Sequence, residues 1–425
     1  MPARLLRRCG AVALLSACAL AQKPIPNYDE AKVPVYTLPD PLKMRSGEPV
    51  RDAATWQNKR RPELVQLFES QMFGRTAAAW PKAAFELTSI ETGALGGKAT
   101  RKEVSIRVAG KSMRLLLYLP SGARGPVPVF VGLNFQGNHA IIADPGVTLA
   151  DVWIVDPQTK KRVKQTAATK TRGTTANRWP VEKILAKGFG LATMHYYDIE
   201  PDFDGGLPHG IRPLLMKPGQ SAPAADEWAA IGAWAWGLSR VVDYLETDKA
   251  VDAKRIALMG HSRLGKAALW AGAMDQRFAV VVSNDSGEGG AAISRRVYGE
   301  TVADLNRAFP HWFCANYRQY SGKEETLPFD AHLLLALIAP RPLYVASALE
   351  DQWADPRGEF LAAVAASPVY QLFGKQGIGT DRMPEVHQPV GGAVRYHIRA
   401  GKHDVTDYDW DQYLAFAAGH FQMGK

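Results

Sequence analysis

The chain has 425 residues, 46% of them hydrophobic and 22% charged, with a formal net charge of +9. These are ordinary globular proportions: they exclude a disordered or fibrous chain, and the length is enough to bury a large core. The positive excess is spread along the chain and forms no basic block, so no nucleic acid is expected as a partner.

The N-terminus reads as an export signal. Arg4, Arg7 and Arg8 precede an apolar run over residues 9–21 that ends in Ala19-Leu20-Ala21 before Gln22, the pattern of a secretory signal peptide. That run is too short to anchor the chain in a bilayer. Residues 1–21 are therefore read as a signal peptide and 22–425 as a single catalytic domain with insertions, secreted or periplasmic and monomeric. Leu15-Ser16-Ala17-Cys18 also resembles a bacterial lipoprotein box; only lipidation at Cys18 would bring the protein to a membrane, as an outer-membrane lipoprotein. Cleavage after Ala21 removes Cys9 and Cys18 and leaves Cys314 alone, so neither an intrachain disulfide nor a cysteine-rich metal site is expected.

After a segment containing Pro24, Pro26, Pro34, Pro39 and Pro41, alternating stretches at residues 103–108 and 113–119 predict antiparallel strands that open a sheet. Apolar runs at 127–133, 191–195, 256–259, 279–283 and 343–348 then recur with helical segments between them, the spacing of buried parallel strands in βαβ units. Residues 144–178 are polar and predict an inserted loop or lid. Ile231, Trp234, Leu238, Val241, Val242 and Leu245 recur at helical spacing, which predicts a helix covering the sheet. A strand around 394–398 and a helix around 408–421 close the domain. The fold class expected is α/β, an α/β-hydrolase fold: a mostly parallel central sheet in a three-layer sandwich with an antiparallel start.

The most informative segment is Ile256-Ala257-Leu258-Met259-Gly260-His261-Ser262-Arg263-Leu264-Gly265-Lys266, an apolar strand running into Gly-x-Ser-x-Gly and then a helix. Glycines flank the serine because the strand-to-helix turn is crowded, and the helix N-terminus presents backbone donors to developing negative charge. Ser262 is thus the expected nucleophile; the bland alternative, a tight structural turn, does not account for the strand before and the helix after it.

A serine hydroxyl needs a histidine to accept its proton and an acid to orient that histidine. His403 follows the last predicted strand, where this fold carries its base. His332 reads as structural, and His195 as a cleft-lining residue at another strand end. Two acids suit the third role. Asp351 follows the strand at 343–348, the usual place for the acid, and Asp285 follows an earlier strand as the alternative or a second contributor. Either is otherwise a loop carboxylate bonded to backbone amides.

Gly-His-Ser-Arg-Leu-Gly-Lys, Asn-Asp-Ser-Gly-Glu-Gly-Gly, Phe-Pro-His-Trp-Phe-Cys and Gly-Lys-His-Asp-Val-Thr together resemble the glucuronoyl esterases of carbohydrate esterase family fifteen, of the bacterial type, over roughly residue 127 to the C-terminus. The resemblance implies hydrolysis of esters of glucuronic or 4-O-methylglucuronic acid, as in lignin links to glucuronoxylan, with no cofactor and no metal. It implies that Arg263 meets the oxyanion, which makes physical sense for a charge that appears only in the transition state. It also implies that Lys266 and Glu300 contact sugar hydroxyls, that Trp353 flanks the uronate, and that Asn306 and His311 are further pocket candidates. Fungal members place a glutamate where this chain has Asp285, so which carboxylate serves His403 stays open. Asn134-Phe135-Gln136-Gly137-Asn138 is a candidate source of a backbone oxyanion donor. The competing functions are another carbohydrate esterase such as an acetyl xylan esterase, a serine peptidase, and a non-catalytic secreted uronoxylan-binding protein.

Overall fold

The computed structural model describes residues 25–423, so the signal peptide read at residues 1–21 lies outside the described residues. Twelve strands are present among them: β1 (Ala84–Gly93), β2 (Ala99–Val108), β3 (Lys111–Pro120), β4 (Val127–Asn134), β5 (Asp151–Val155), β6 (Arg162–Thr166), β7 (Gly190–His195), β8 (Val251–His261), β9 (Phe278–Asn284), β10 (Leu343–Ala348), β11 (Val390–Gly391) and β12 (Val394–Arg399). Ten of them form one sheet in the order β1-β2-β3-β7-β4-β8-β9-β10-β12-β11. β1, β2, β3 and β7 pair antiparallel in turn, and from β7 through β12 the pairing is parallel, with β11 closing the far edge antiparallel.

Both faces of this sheet are covered, as the near-continuous apolar strands require. Successive residues alternate between two cores. Ile256 and Leu258 of β8 enter one and Ala257 and Met259 the other; in β10, Leu343 and Val345 alternate with Tyr344 and Ala346. The first core is completed by helices α1 (Ala230–Leu245), α2 (Arg263–Met274) and α3 (Pro356–Leu372), and the second by α4 (Asp407–His420) and the short helix Val181–Ala186. This is the three-layer arrangement of the α/β-hydrolase fold.

Two expectations are revised. Helix α1 is buried nearly all round and not along one stripe, because Trp236 also packs against Trp80 and Trp228 at 5.9 and 6.0 Å between ring centroids. The polar insertion at 144–178 is not a bare loop: it carries the β5–β6 hairpin, a separate two-stranded sheet. Its sequence concealed that, since only Val163 of β6 is apolar and cross-strand backbone bonds, not an apolar face, define the pair. Among the described residues no helix is long and apolar enough to cross a membrane.

Candidate active site

Register places the candidate residues. His261 of β8 is aligned with Asn284 of β9, so Ser262 and Asp285, one step further along, leave the sheet side by side. Ala348 of β10 is aligned with Arg399 of β12, and the loops beyond them carry Asp351 and His403. All four therefore sit at the carboxyl ends of parallel strands, where open α/β sheets hold their ligands.

The elbow explains its own sequence. Ser262 adopts φ 57° and ψ −130°, a conformation that costs an L-residue on the order of 1–3 kcal/mol and is held only by its surroundings. Its N–H donates to Asn284 O at 2.9 Å, and its carbonyl accepts from Gly265 and Lys266 N–H at 2.8 and 3.2 Å. A Cβ on Gly260 would lie 2.1 Å from the Leu264 carbonyl oxygen, and one on Gly265 2.9 Å from Ser286 Cβ. Arg263, next in the chain, is the first residue of α2, where backbone N–H groups have no intrahelical acceptor.

Behind the serine, His403 Nδ1 faces Asp351 Oδ2 at 2.6 Å, with the imidazole partly exposed and the carboxylate buried. A carboxylate only accepts, so Nδ1 donates and Nε2 is left as the acceptor. The His261 ring lies 4.5 Å from the His403 ring and is fixed by a 2.6 Å bond between its Nδ1 and Asn284 Oδ1. Burial, then the neighbouring His403, pushes the His261 pKa well down, which keeps that second imidazole neutral.

Asp285 is built differently. It is buried, its Oδ1 has no hydrogen-bond partner, and its Oδ2 accepts from Arg399 at 3.4 Å. Burial first, then the charges of Glu359 and Asp351, pushes its pKa well above the carboxylate range. Asp285, Asp351 and His403 offer ligand atoms within 4.8 Å of one another, the one such cluster among the described residues. His403 Nδ1 and Asp351 Oδ2 are engaged with each other, and Asp285 Oδ2 faces the Arg399 guanidinium, a positive neighbour that opposes a bound cation.

Ser262, Arg263, Lys266, Asp285, Glu300, Asp351, Trp353 and His403 all line one cleft of about 510 Å³. Lys266 Nζ donates to the Ser286 carbonyl and stands 3.9 Å from a Glu300 oxygen. Burial lowers the Lys266 pKa and raises that of Glu300, with the mutual attraction opposing both shifts. Trp353 accepts from Glu300 N–H at 2.9 Å through its backbone carbonyl, and its side chain donates back to the Glu300 carboxylate. Two opposite charges of low exposure and an indole at the wall of the cleft are suited to a polyhydroxylated ligand.

Other expected residues lie elsewhere. Asn306 does not line the cleft; its amide donates to Tyr317 O and Ser321 Oγ at 3.3 and 2.9 Å. His311 is likewise absent from the wall and bonds Asp202 at 2.8 Å. His195 lines a separate groove beside Trp153 and Tyr197, and His332 bonds Pro39 O at 2.7 Å from a buried position. The Asn134 amide turns inward to Asn138 and Thr193 while its oxygen accepts from Gly137 N–H at 2.8 Å; the ring of Phe135 lies 5.9 Å from the Arg263 guanidinium. Sequence reasoning missed Asp202, a buried carboxylate 2.6 Å from Arg263 Nη1. It sits in a loop with no motif, among other acids, and nothing in the chain announces its distant partners.

The sheet order and the strained strand-to-helix elbow define this protein as an α/β-hydrolase, with a nucleophile-type turn opening onto a polar cleft. Comparison with known proteins narrows that class. A family model described as glucuronyl esterase, fungi, matches residues 223–374. A carbohydrate esterase from an unknown prokaryotic organism is 49% identical over 402 residues, which cover 94% of this chain and 93% of that one. The solved glucuronoyl esterase from Solibacter usitatus is 58% identical, covering 92% of this chain and 100% of its own, with a TM-score of 0.88. A solved structure described as a promiscuous esterase of the same family, from a marine bacterial metagenome, is 48% identical over 93% of this chain and 100% of its own, with a TM-score of 0.86. The chain belongs to the glucuronoyl esterases, carbohydrate esterase family fifteen, and is an esterase.

Proposed function

We propose that this esterase hydrolyses esters of glucuronic or 4-O-methylglucuronic acid by a Ser262–His403–Asp351 mechanism, acting on the links between lignin alcohols and glucuronoxylan. The observation that carries the reading is the shared cleft: Arg263 beside Ser262, and the buried Lys266–Glu300 pair with Trp353 on its wall.

Ser262 Oγ attacks the ester carbonyl while His403 Nε2 takes its proton, and Asp351 stabilises the imidazolium through Nδ1. Negative charge gathers on the former carbonyl oxygen, and the Arg263 guanidinium and the amide at the start of α2 stabilise it. His403 then protonates the departing alcohol. Water, deprotonated by the same imidazole, releases the uronic acid from Ser262. Lys266 and Glu300 hold the sugar hydroxyls, and Trp353 packs on the ring. Export through the segment at residues 1–21, or lipidation at Cys18, would bring the enzyme to its polymeric substrate.

The test is hydrolysis of benzyl glucuronate with the matched galacturonate, acetylated xylan and a peptide amide run in parallel. Turnover restricted to the glucuronate ester supports the reading. Preference for acetylated xylan, which the broad scope stated for the metagenomic relative makes the specific rival, moves the protein to an acetyl esterase; binding of uronoxylan without turnover of any ester removes the catalytic reading altogether.

A further inference from the structure

Asp202 collects four donors on one buried carboxylate. Oδ2 accepts from Arg263 Nη1 at 2.6 Å and from the Tyr196 hydroxyl at 3.0 Å; Oδ1 accepts from His311 Nε2 at 2.8 Å and Trp312 Nε1 at 2.6 Å. Those partners come from the short helix Tyr196–Ile199 after β7, the start of α2 and the segment at residues 309–312. Burial on its own would raise the Asp202 pKa, but the His311 bond, the Arg263 charge and the Trp312 bond together bring it down to about 2. The carboxylate is charged across the working range and cannot release its partners by picking up a proton.

Arg263 has few other restraints. Its guanidinium carbon lies 4.8 Å from the Trp312 ring centroid and 5.4 Å from that of Phe309, and those two rings are stacked 3.8 Å apart at an interplanar angle of 4°. The guanidinium lies beside this stack, at similar distances from both rings, and contact of a cation with aromatic rings is only weakly directional. Nε is buried without a hydrogen-bond partner. Among the described residues, the bond to Asp202 is therefore the one directional tie on this side chain. The same carboxylate also holds the indole of Trp312, so one group ties both the guanidinium and one of the rings beside it.

We infer that Asp202 is the positioning residue of Arg263: it fixes the guanidinium beside the Phe309–Trp312 stack, at the place where charge appears on the substrate oxygen. The inference rests on the oxyanion reading of Arg263. A donor fixed in advance needs no rearrangement as charge develops, and this is what gives such donors their effect on rate. A free arginine would have to be ordered at each turnover, against the large rotamer freedom of its side chain.

The experiment is a double-mutant cycle of Asp202→Asn and Arg263→Ala in the full chain, with kcat and KM measured on benzyl glucuronate and on 4-nitrophenyl acetate, and melting temperatures recorded for all four proteins. Asp202→Asn is expected to lower kcat by about tenfold to a hundredfold on both esters, with KM little changed. In the Arg263→Ala background the same substitution is expected to leave kcat unaltered, because the group it positions is gone. An equal loss of kcat in both backgrounds overturns the inference, since Asp202 then acts on the fold and not through Arg263. Should the amide variant not fold, Asp202→Glu, which keeps the charge but moves it by one methylene, enters the same cycle with the same deciding comparison. If Arg263→Ala alone keeps the wild-type kcat, the oxyanion reading fails and the inference with it. Loss of activity on glucuronate esters alone in the wild type would instead fault the substrate, leaving the cycle legible on the acetate.

Discussion

His403 Nδ1 and Asp351 Oδ2 lie 2.6 Å apart, whereas the other carboxylate near this imidazole, Asp285, is tied to Arg399 and is driven towards its neutral form by burial and by its acidic neighbours. Only the first of these is arranged to stabilise an imidazolium. Asp351→Asn is expected to lower kcat by roughly a hundredfold to ten-thousandfold, and Asp285→Asn by much less, since an amide replaces a carboxyl that is already pushed towards neutrality. Steady-state kinetics of the two variants on one ester decides between them; a larger loss at Asp285 reverses the assignment.

Ser262→Ala removes the acyl acceptor and relieves none of the backbone strain at φ 57°. Turnover is expected to fall to the residual level supplied by binding and oxyanion contacts alone, while the melting temperature stays near that of the wild type. A folded alanine variant with wild-type activity would show that the nucleophile lies elsewhere.

Lys266 and Glu300 are buried 3.9 Å apart in the wall of the cleft, and their contacts with a substrate hydroxyl would be equally strong before and during the reaction. Substituting either by alanine is expected mainly to raise KM, by about tenfold to a hundredfold in kcat/KM per lost charge-assisted bond. Discrimination between glucuronate and galacturonate should fall with it. Unchanged kcat/KM and unchanged epimer preference in both variants would make the pair purely structural.

Glu359, buried beneath the loop that carries Asp285, accepts from Ser286 and Gly287 N–H at 2.9 Å each and from the Ser347 hydroxyl at 2.5 Å. Burial, with a further push from Asp351 and against these three donors, raises its pKa to about 8. The folded protein thus holds a proton that the unfolded chain gives up. Its contribution to stability is complete below the ordinary carboxylate range and is lost as pH rises towards about 8. Glu359→Gln cannot ionise and still offers an oxygen to both amides, so it should flatten this fall. Urea midpoints at about pH 5 and about pH 8 should differ less in the variant, by on the order of 1 kcal/mol or more in unfolding free energy. An unchanged difference would mean that Glu359 is ionised throughout.

Gly260→Ala tests the elbow itself. The new methyl would meet the Leu264 carbonyl oxygen at 2.1 Å, and backbone on both sides is pinned by sheet and helix. A loss of about 2–4 kcal/mol in stability is expected, read from urea unfolding; a variant as stable as the wild type would show that the turn relaxes freely.

What the sequence made legible follows from how each feature is encoded. Strands β4, β8, β9 and β10 are apolar runs bounded by polar loops, because both their faces are buried, and α1 is a helix whose spacing survives its nearly complete burial. Ser262, Asp351 and His403, the residues of the proposed mechanism, stood out in the sequence since each lies within a few residues of a strand's carboxyl end, where such folds carry their catalytic groups. Asp202 was not: its meaning lies in Arg263, His311 and Trp312, which are distant in the chain and adjacent only in the fold. Glu359 reads as an ordinary helical acid until Ser286 and Gly287 are placed over it. The β5–β6 hairpin hid in a polar stretch for the same reason, its pairing being written in backbone bonds.

The pairing of β12 with β10 has a consequence for the chain as it is made. A nascent polypeptide that has reached the end of α3 already contains Ser262, Asp351, Arg263 and Glu300, but His403, the base of the proposed mechanism, comes only with the loop after β12. Until that strand arrives, the backbone groups of Leu343–Ala348 also lack their partner on one side, an open template for the wrong neighbour. The last strand to be synthesised therefore completes the pairing of β10 and brings in the proposed base in the same event, so a chain stopped before it is expected to be inert and open to wrong pairing.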